Sequence, residues 1–196
     1  MAAAVLAGGC GSDGPYADGP TDPGAKRSTG TGTAGPVRYA TSALPRSEPV
    51  TIKIPRLGVT APVTGLGLKP DGTIEVPSLD RPNLAGWWNG GPTPGEEGPS
   101  VILGHVDARG RAAVFSRLRE LREGDRVQVV RRDGRTAAFA VQRVEQVAKA
   151  AFPGEKVYAE DLRYAGLRLV TCGGDFDSGT GHYVDNVIAY TRLVRS

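Results

Sequence analysis

A thiol and an imidazole each follow an apolar run in this chain. Cys172 ends GLRLVTC and precedes Gly173 and Gly174, and His105 follows SVIL in SVILGHVD. The chain holds only two histidines and two cysteines. A cysteine thiol titrates near pH 8.5, so little of it is thiolate at neutral pH. A neighbouring imidazolium favours the thiolate, and the imidazole can later return a proton to a leaving amine. Both residues end strand-like runs, 67 residues apart in sequence. Two strand ends can bring them to one rim. The competing reading is a buried cysteine acting as a small hydrophobe together with a surface histidine. The pair alone leaves both readings open.

The neighbours of this pair have readings of their own. Gly173 and Gly174 leave room for a substrate backbone beside the sulfur. Asp107 follows His105 by two residues, so on an extended chain it would share a side with the ring and could orient it. A surface turn residue is the alternative. His182, between Gly181 and Tyr183, reads as a loop or rim residue. Metal binding is not expected, because two histidines and one usable cysteine make no spaced ligand set. DFD at 175–177 is acidic, but no loop has EF-hand spacing. No cofactor motif is present.

The elements that must position these residues are mostly strands. VTIKI (50–54) alternates apolar and polar residues. TIEV (73–76) follows a PDG turn signal, and SVILG (100–104) is an apolar run. RVQVVR (126–131) and TAAFAVQRV (136–144) flank Asp133-Gly134, a hairpin signature. GLRLVTC (166–172) and YVDNVIAYTRL (183–193) complete seven candidate strands. One helix is expected over 112–121, where Val114, Leu118 and Leu121 fall at i, i+4 and i+7. A mainly β, closed or nearly closed barrel follows. Trp87 and Trp88 read as core residues.

Composition bounds the rest. The net charge is +3, and arginines alternate with acids in RLRELREGDR, which reads as a solvated face. A nucleic-acid footprint would need a denser basic stripe with aromatics. Residues 11–47 are rich in Gly, Pro, Ser, Thr and Asp and read as a disordered linker. The folded domain is expected over 48–196. Residues 1–10, MAAAVLAGGC, read as the tail of an export signal or membrane anchor. LAGGC is a weak lipoprotein-type box, and a flexible tag-like terminus is the bland alternative. If Cys10 belongs to an anchor, Cys172 is left as an unbridged thiol in an exported protein, which suggests chemistry.

LVTC resembles the Leu-x-Thr-Cys signature of sortases, and VILGHVD resembles that family's Gly-His at the end of a core strand. TIEVPSLDRPNLAGWW, GPTPGEEGPSVILGHVD, AVFSRLREL, LVTCGGDFD and GHYVDNVIAY resemble the class F subgroup of high-G+C bacteria, in the right order over about residues 48 to 193. The resemblance implies a closed eight-stranded sortase-type β-barrel with one or two short helices. It implies Cys172 as nucleophile, forming a thioester with an LPxTG-type sorting signal, and His105 as acid/base. Thr171 and Gly173 come with the motif as substrate or oxyanion candidates. A cell-wall or protein amine would resolve the acyl-enzyme, and no cofactor is implied. The expected setting is the cell surface, with a monomer tethered to the membrane through its N-terminus. The segment 145–166 would wall the substrate groove.

One departure stands out. Sortases usually carry an arginine on the strand after the nucleophile. Here the matching positions hold Asp185 or Asn186, depending on register. Arg192, the next arginine, lies about 20 Å farther along an extended strand. Asn186 could donate an amide hydrogen bond instead, Arg81 or Arg143 could reach in, or the site could be weak. A catalytically weak or inactive peptide-binding barrel is therefore the alternative function. A cell-wall L,D-transpeptidase would show a Ser-His-Gly-Cys run, which is absent from the sequence.

Overall fold

In the computed structural model, which describes residues 37–195, ten strands form. They are β1 (Pro49–Ile54), β2 (Val59–Leu66), β3 (Ala85–Trp88), β4 (Gly98–Leu103), β5 (Asp107–Ala108), β6 (Arg111–Ala112), β7 (Arg126–Arg131), β8 (Thr136–Ala148), β9 (Ala165–Asp177) and β10 (His182–Leu193). Eight close into a barrel in the order β1-β2-β3-β4-β9-β10-β8-β7, with β7 returning to β1. β5 and β6 form a separate two-stranded ribbon. Neighbours in the barrel are antiparallel except β2 with β3 and β4 with β9. The expected closed eight-stranded barrel is what forms.

Alternation sorts the side chains into two clusters. Leu167, Leu169, Val187, Ala189 and Ile102 join Phe115, Val127, Val129 and Phe139 in the larger core. Val101, Leu103, Val170, Ile188 and Tyr190 take the other face and pack with Leu66, Ile74 and Val157. β4, β9 and β10 are thus covered on both faces, which is why their sequences read as near-continuous apolar runs. Val157 belongs to α1 (Gly154–Tyr158), the one α-helix among the described residues, within the 145–166 segment.

Three expectations are corrected. The 112–121 segment is not a helix: it contains β6, turns and a 3-10 turn at Leu118–Glu120. Its early amides are taken by distant carbonyls, Ala113 by Val106, Val114 by Pro82 and Phe115 by His105. Val114, Leu118 and Leu121 are buried as their spacing demands, so the pattern marked a core-facing side without a helical backbone. TIEV contributes only a bridge between Leu68 and Ile74. There, Asp71 accepts hydrogen bonds from the Thr73 amide and hydroxyl, and Glu75 and Gly67 bond to each other.

The third correction concerns residues 37–47, which composition assigns to the linker. They lie along the barrel: Ala40 N–H donates to Leu193 O, Leu44 N–H to Gly95 O, and Ser47 N–H to Thr93 Oγ1. Arg131, 1% exposed, ties this strap down. Its guanidinium donates to Pro94 O at 3.0 Å, to Pro45 O, and to Asp133 at 3.2 Å. The readings for residues 1–36, Cys10 included, lie outside the described residues.

Candidate active site

The parallel pairing of β4 with β9 builds the site. Val101, Ile102 and Leu103 stand level with Arg168, Leu169 and Val170. Both strands run the same way, so the residues that follow leave at one edge. Gly104 N–H donates to Val170 O at 3.1 Å and carries the ladder one step further. Extending the same register past Gly104 would set His105 level with Cys172. Both residues line one small pocket with Val76, Pro77, Gly104 and Thr171. Its volume of about 30 Å³ holds roughly one water. Cys172 is an unbridged, half-buried thiol, and His105 is 5% exposed.

The imidazole has a defined orientation. His105 Nε2 lies 2.6 Å from Pro77 O. A carbonyl only accepts, so Nε2 carries the hydrogen and Nδ1 of the neutral ring keeps its lone pair. This partner is a backbone group, invisible to motif reading. Asp107 opens the β5–β6 ribbon opposite Ala112, after a bend at Val106, so the extended-chain relation to His105 does not hold. It is not among the residues lining the pocket. Arg109 and Gly110, with φ of 53° and 73°, turn that ribbon in the hairpin geometry both positive angles favour.

Across β9 from His105 lies β10. The register pairs Cys172 with Asn186 and Gly173 with Asp185, after a shift between Tyr183 and Asp185. Opposed residues share a face, so His105, Cys172 and Asn186 form a row across three strands. Asn186 is 1% exposed, and its Oδ1 is buried without a hydrogen-bond partner. Thr171 pairs with Val187 and takes the opposite, core-facing side, where its Oγ1 is also buried without a partner. It therefore borders the pocket without aiming its hydroxyl along the row. Gly173 is required by packing: a Cβ there would lie 2.6 Å from Val187 Cγ2. Gly104 is similar, since a Cβ would meet Phe115 Cδ2 at 2.5 Å and Val114 Cγ1 at 2.6 Å. Gly104→Ala is expected to cost about 1–3 kcal/mol through this overpacking and to displace the adjacent His105. Thermal denaturation checks it.

The arginines lie elsewhere. Arg143 pairs across β8 with Tyr190, four residues along β10 from Asn186, and bonds Glu145 at 2.6 Å. Arg81 sits exposed on the Ser78–Arg81 turn. Arg192 stacks between Tyr39 and Tyr164 near the far end of β10. His182 is exposed opposite Asp177, beyond the site on the β9–β10 hairpin. Trp87 is core, donating through Nε1 to Pro92 O, while Trp88 is half-buried against the second cluster.

On the Cys172 face, sequence reading missed Arg168. It is 2% exposed and bonded to Glu160 at 2.9 Å. With Arg143 and Lys156 it surrounds the Tyr190 ring. Burial, followed by the Glu145 carboxylate, pushes the Tyr190 phenol up to about 12 despite the two arginines. A raised phenol contributes stability that is complete below its unfolded value near 10 and is lost as pH climbs through about 12. Tyr190→Phe is expected to move the midpoint of alkaline unfolding to higher pH, read by circular dichroism.

Among the described residues, no group of three or more His, Cys, Asp or Glu side chains could hold a metal ion. No helix there is long and apolar enough to cross a membrane.

The sortase domain family matches residues 52–194. No curated protein matches by sequence. Among solved structures, sortase C1 of Streptococcus agalactiae is similar, with TM-score 0.58 and 18% identity, over 76% of this chain and 71% of that one. Sortase C-1 of Actinomyces oris superposes at 0.57 with 23% identity, over 76% of each chain. Sortase A of Corynebacterium diphtheriae superposes at 0.58 with 19% identity, over 78% of this chain and 63% of that one. These likenesses are of fold. The match over most of the described barrel, with the fold beneath it, places the chain in the sortase family, whose members are in general cysteine transpeptidases of the cell surface.

Proposed function

We propose that the protein is a class F-type sortase that cleaves an LPxTG-type sorting signal and transfers the acyl group to a cell-surface amine. The observation that carries this reading is the row His105–Cys172–Asn186 at one edge of the barrel. Cys172 attacks the scissile carbonyl as thiolate. The carbonyl π pair moves to oxygen, and the new C–S bond forms as the His105 imidazolium gives its proton to the departing amine. An incoming amine then attacks the thioester. A C–N bond forms, the C–S bond breaks, and the amine's proton goes to His105 while the thiolate leaves. The Pro77 carbonyl holds Nε2–H, which leaves Nδ1 to carry the proton between these steps. The Asn186 amide serves the oxyanion where the family places an arginine. The N-terminal segment tethers the domain to the membrane.

The test is mass spectrometry of the intact protein mixed with an LPxTG-type peptide. An acyl adduct located on Cys172, and a ligated product on adding triglycine, are expected. The alternative is a peptide-binding barrel of weak or no activity. It is favoured by one observation, an amide rather than a guanidinium level with the thiol. Peptide binding with no adduct would establish it instead.

A further inference from the structure

We infer that Asn186 also binds the attacking amine, its carboxamide oxygen accepting one amine hydrogen as the thioester is resolved. This rests on the transpeptidase reading and assigns Asn186 a second duty within it. Asn186 is 1% exposed, and its Oδ1 has no partner in the fold. An orphaned buried acceptor is costly, and no contact within the barrel offsets it. A ligand that brings an N–H would.

Position narrows the ligand. Asn186 stands opposite Cys172 on the same face, one strand over from the sulfur that the substrate carbonyl would acylate. The acyl carbonyl offers only an acceptor there. The attacking amine offers hydrogens. In the tetrahedral intermediate, oxygen and amine nitrogen share one carbon and sit about 2.3 Å apart, close to the spacing of oxygen and nitrogen within a carboxamide. One asparagine can therefore meet both: Nδ2–H donates to the oxyanion, and Oδ1 accepts from the amine. Rotating the amide exchanges the two ends without losing the match. A guanidinium carries donors only and can do the first but not the second. Of the two hydrogens on the attached nitrogen, one is held by Asn186 and the other passes to His105, so the collapse to amide and thiolate balances.

The consequence is that the acyl-enzyme is resolved faster by an amine with two hydrogens than by an amine with one. The experiment uses the full chain, an LPxTG-type peptide, and graded triglycine or sarcosyl-glycyl-glycine. It measures the rate of thioester formation and the preference for triglycine over the secondary amine in ligation. Asn186→Leu should lower that preference about ten-fold, the worth of one hydrogen bond. Asn186→Asp keeps an acceptor and loses the donor, so it should slow thioester formation while holding the preference within about two-fold of wild type. An unchanged preference in Asn186→Leu, or an equal fall in both variants, overturns the inference. Should the variants fail to fold, the wild-type protein still decides. Sarcosyl-glycyl-glycine presents a secondary amine with one hydrogen too few for both partners, and equal use of it and triglycine overturns the inference. Absence of any Cys172 adduct would instead remove the transpeptidase reading itself.

Discussion

Cys172→Ala is expected to yield no acyl adduct, and His105→Gln to slow adduct formation about 10²–10⁴-fold. For the cysteine variant the loss of turnover should reach about 10⁴-fold or more, since the proposed mechanism runs through a covalent intermediate on Cys172. Glutamine at 105 preserves polarity and bulk and can still donate toward Pro77 O, so the fold should persist. What it lacks is a nitrogen that takes up and returns a proton near neutral pH. Intact-protein mass spectrometry read against time separates the two variants. If His105→Gln acylates at the wild-type rate, the ring is no acid/base, and the proposed mechanism falls even if the cysteine is essential.

Arg131→Ala should be the most damaging single change to stability remote from the row. The guanidinium is fully buried and gathers carbonyls from two separate segments, Pro45 of the strap and Pro94 of the β3–β4 loop. Hydrogen bonds to a charged donor are worth about 1.5–3 kcal/mol each, and the stranded carbonyls add desolvation. A loss of about 3 kcal/mol should lower the melting temperature by roughly 6–12 °C for a domain of this size. Asp133→Asn should cost much less, because that partner is partly exposed. Hydrogen exchange adds a local readout, since the amides of Leu44 and Ser47 should lose protection first. The strap follows Leu193 and Val194, about seven residues along β10 from Asn186, or roughly 23 Å. At temperatures where the variant stays folded, thioester formation should therefore be unaffected.

The sequence disclosed much of the barrel. β1, β7 and β8 alternate or flank a turn that Asp-Gly makes easily, and β4, β9 and β10 are apolar on both faces. β2 escaped because Pro62 and Gly65 interrupt it, and β3 because four residues carry too little period. The 112–121 segment misled because core-facing spacing says where side chains point and nothing of where amides bond. Residues 37–47 misled for the opposite reason, being held by backbone groups and a distant arginine that composition does not register. At the site, the cysteine and histidine were legible as motif residues. Their alignment depends on parallel register, which no local pattern encodes. The choice between Asp185 and Asn186 turned on the β9–β10 irregularity where Val184 faces two residues, Gly174 and Asp175, which shifts the pairing by one residue. The Pro77 carbonyl had no sequence signal, because every residue has one.

The parallel union of β4 and β9 also bears on when competence is acquired. Hairpins such as β7–β8 close over a few residues, whereas joining β4 to β9 must enclose some sixty, at a greater entropic cost. On the proposed mechanism, chains caught before that step hold Cys172 with no His105 beside it. Nascent or partly unfolded copies would then be unable to trap sorting peptides, and reactivity itself would certify a finished domain.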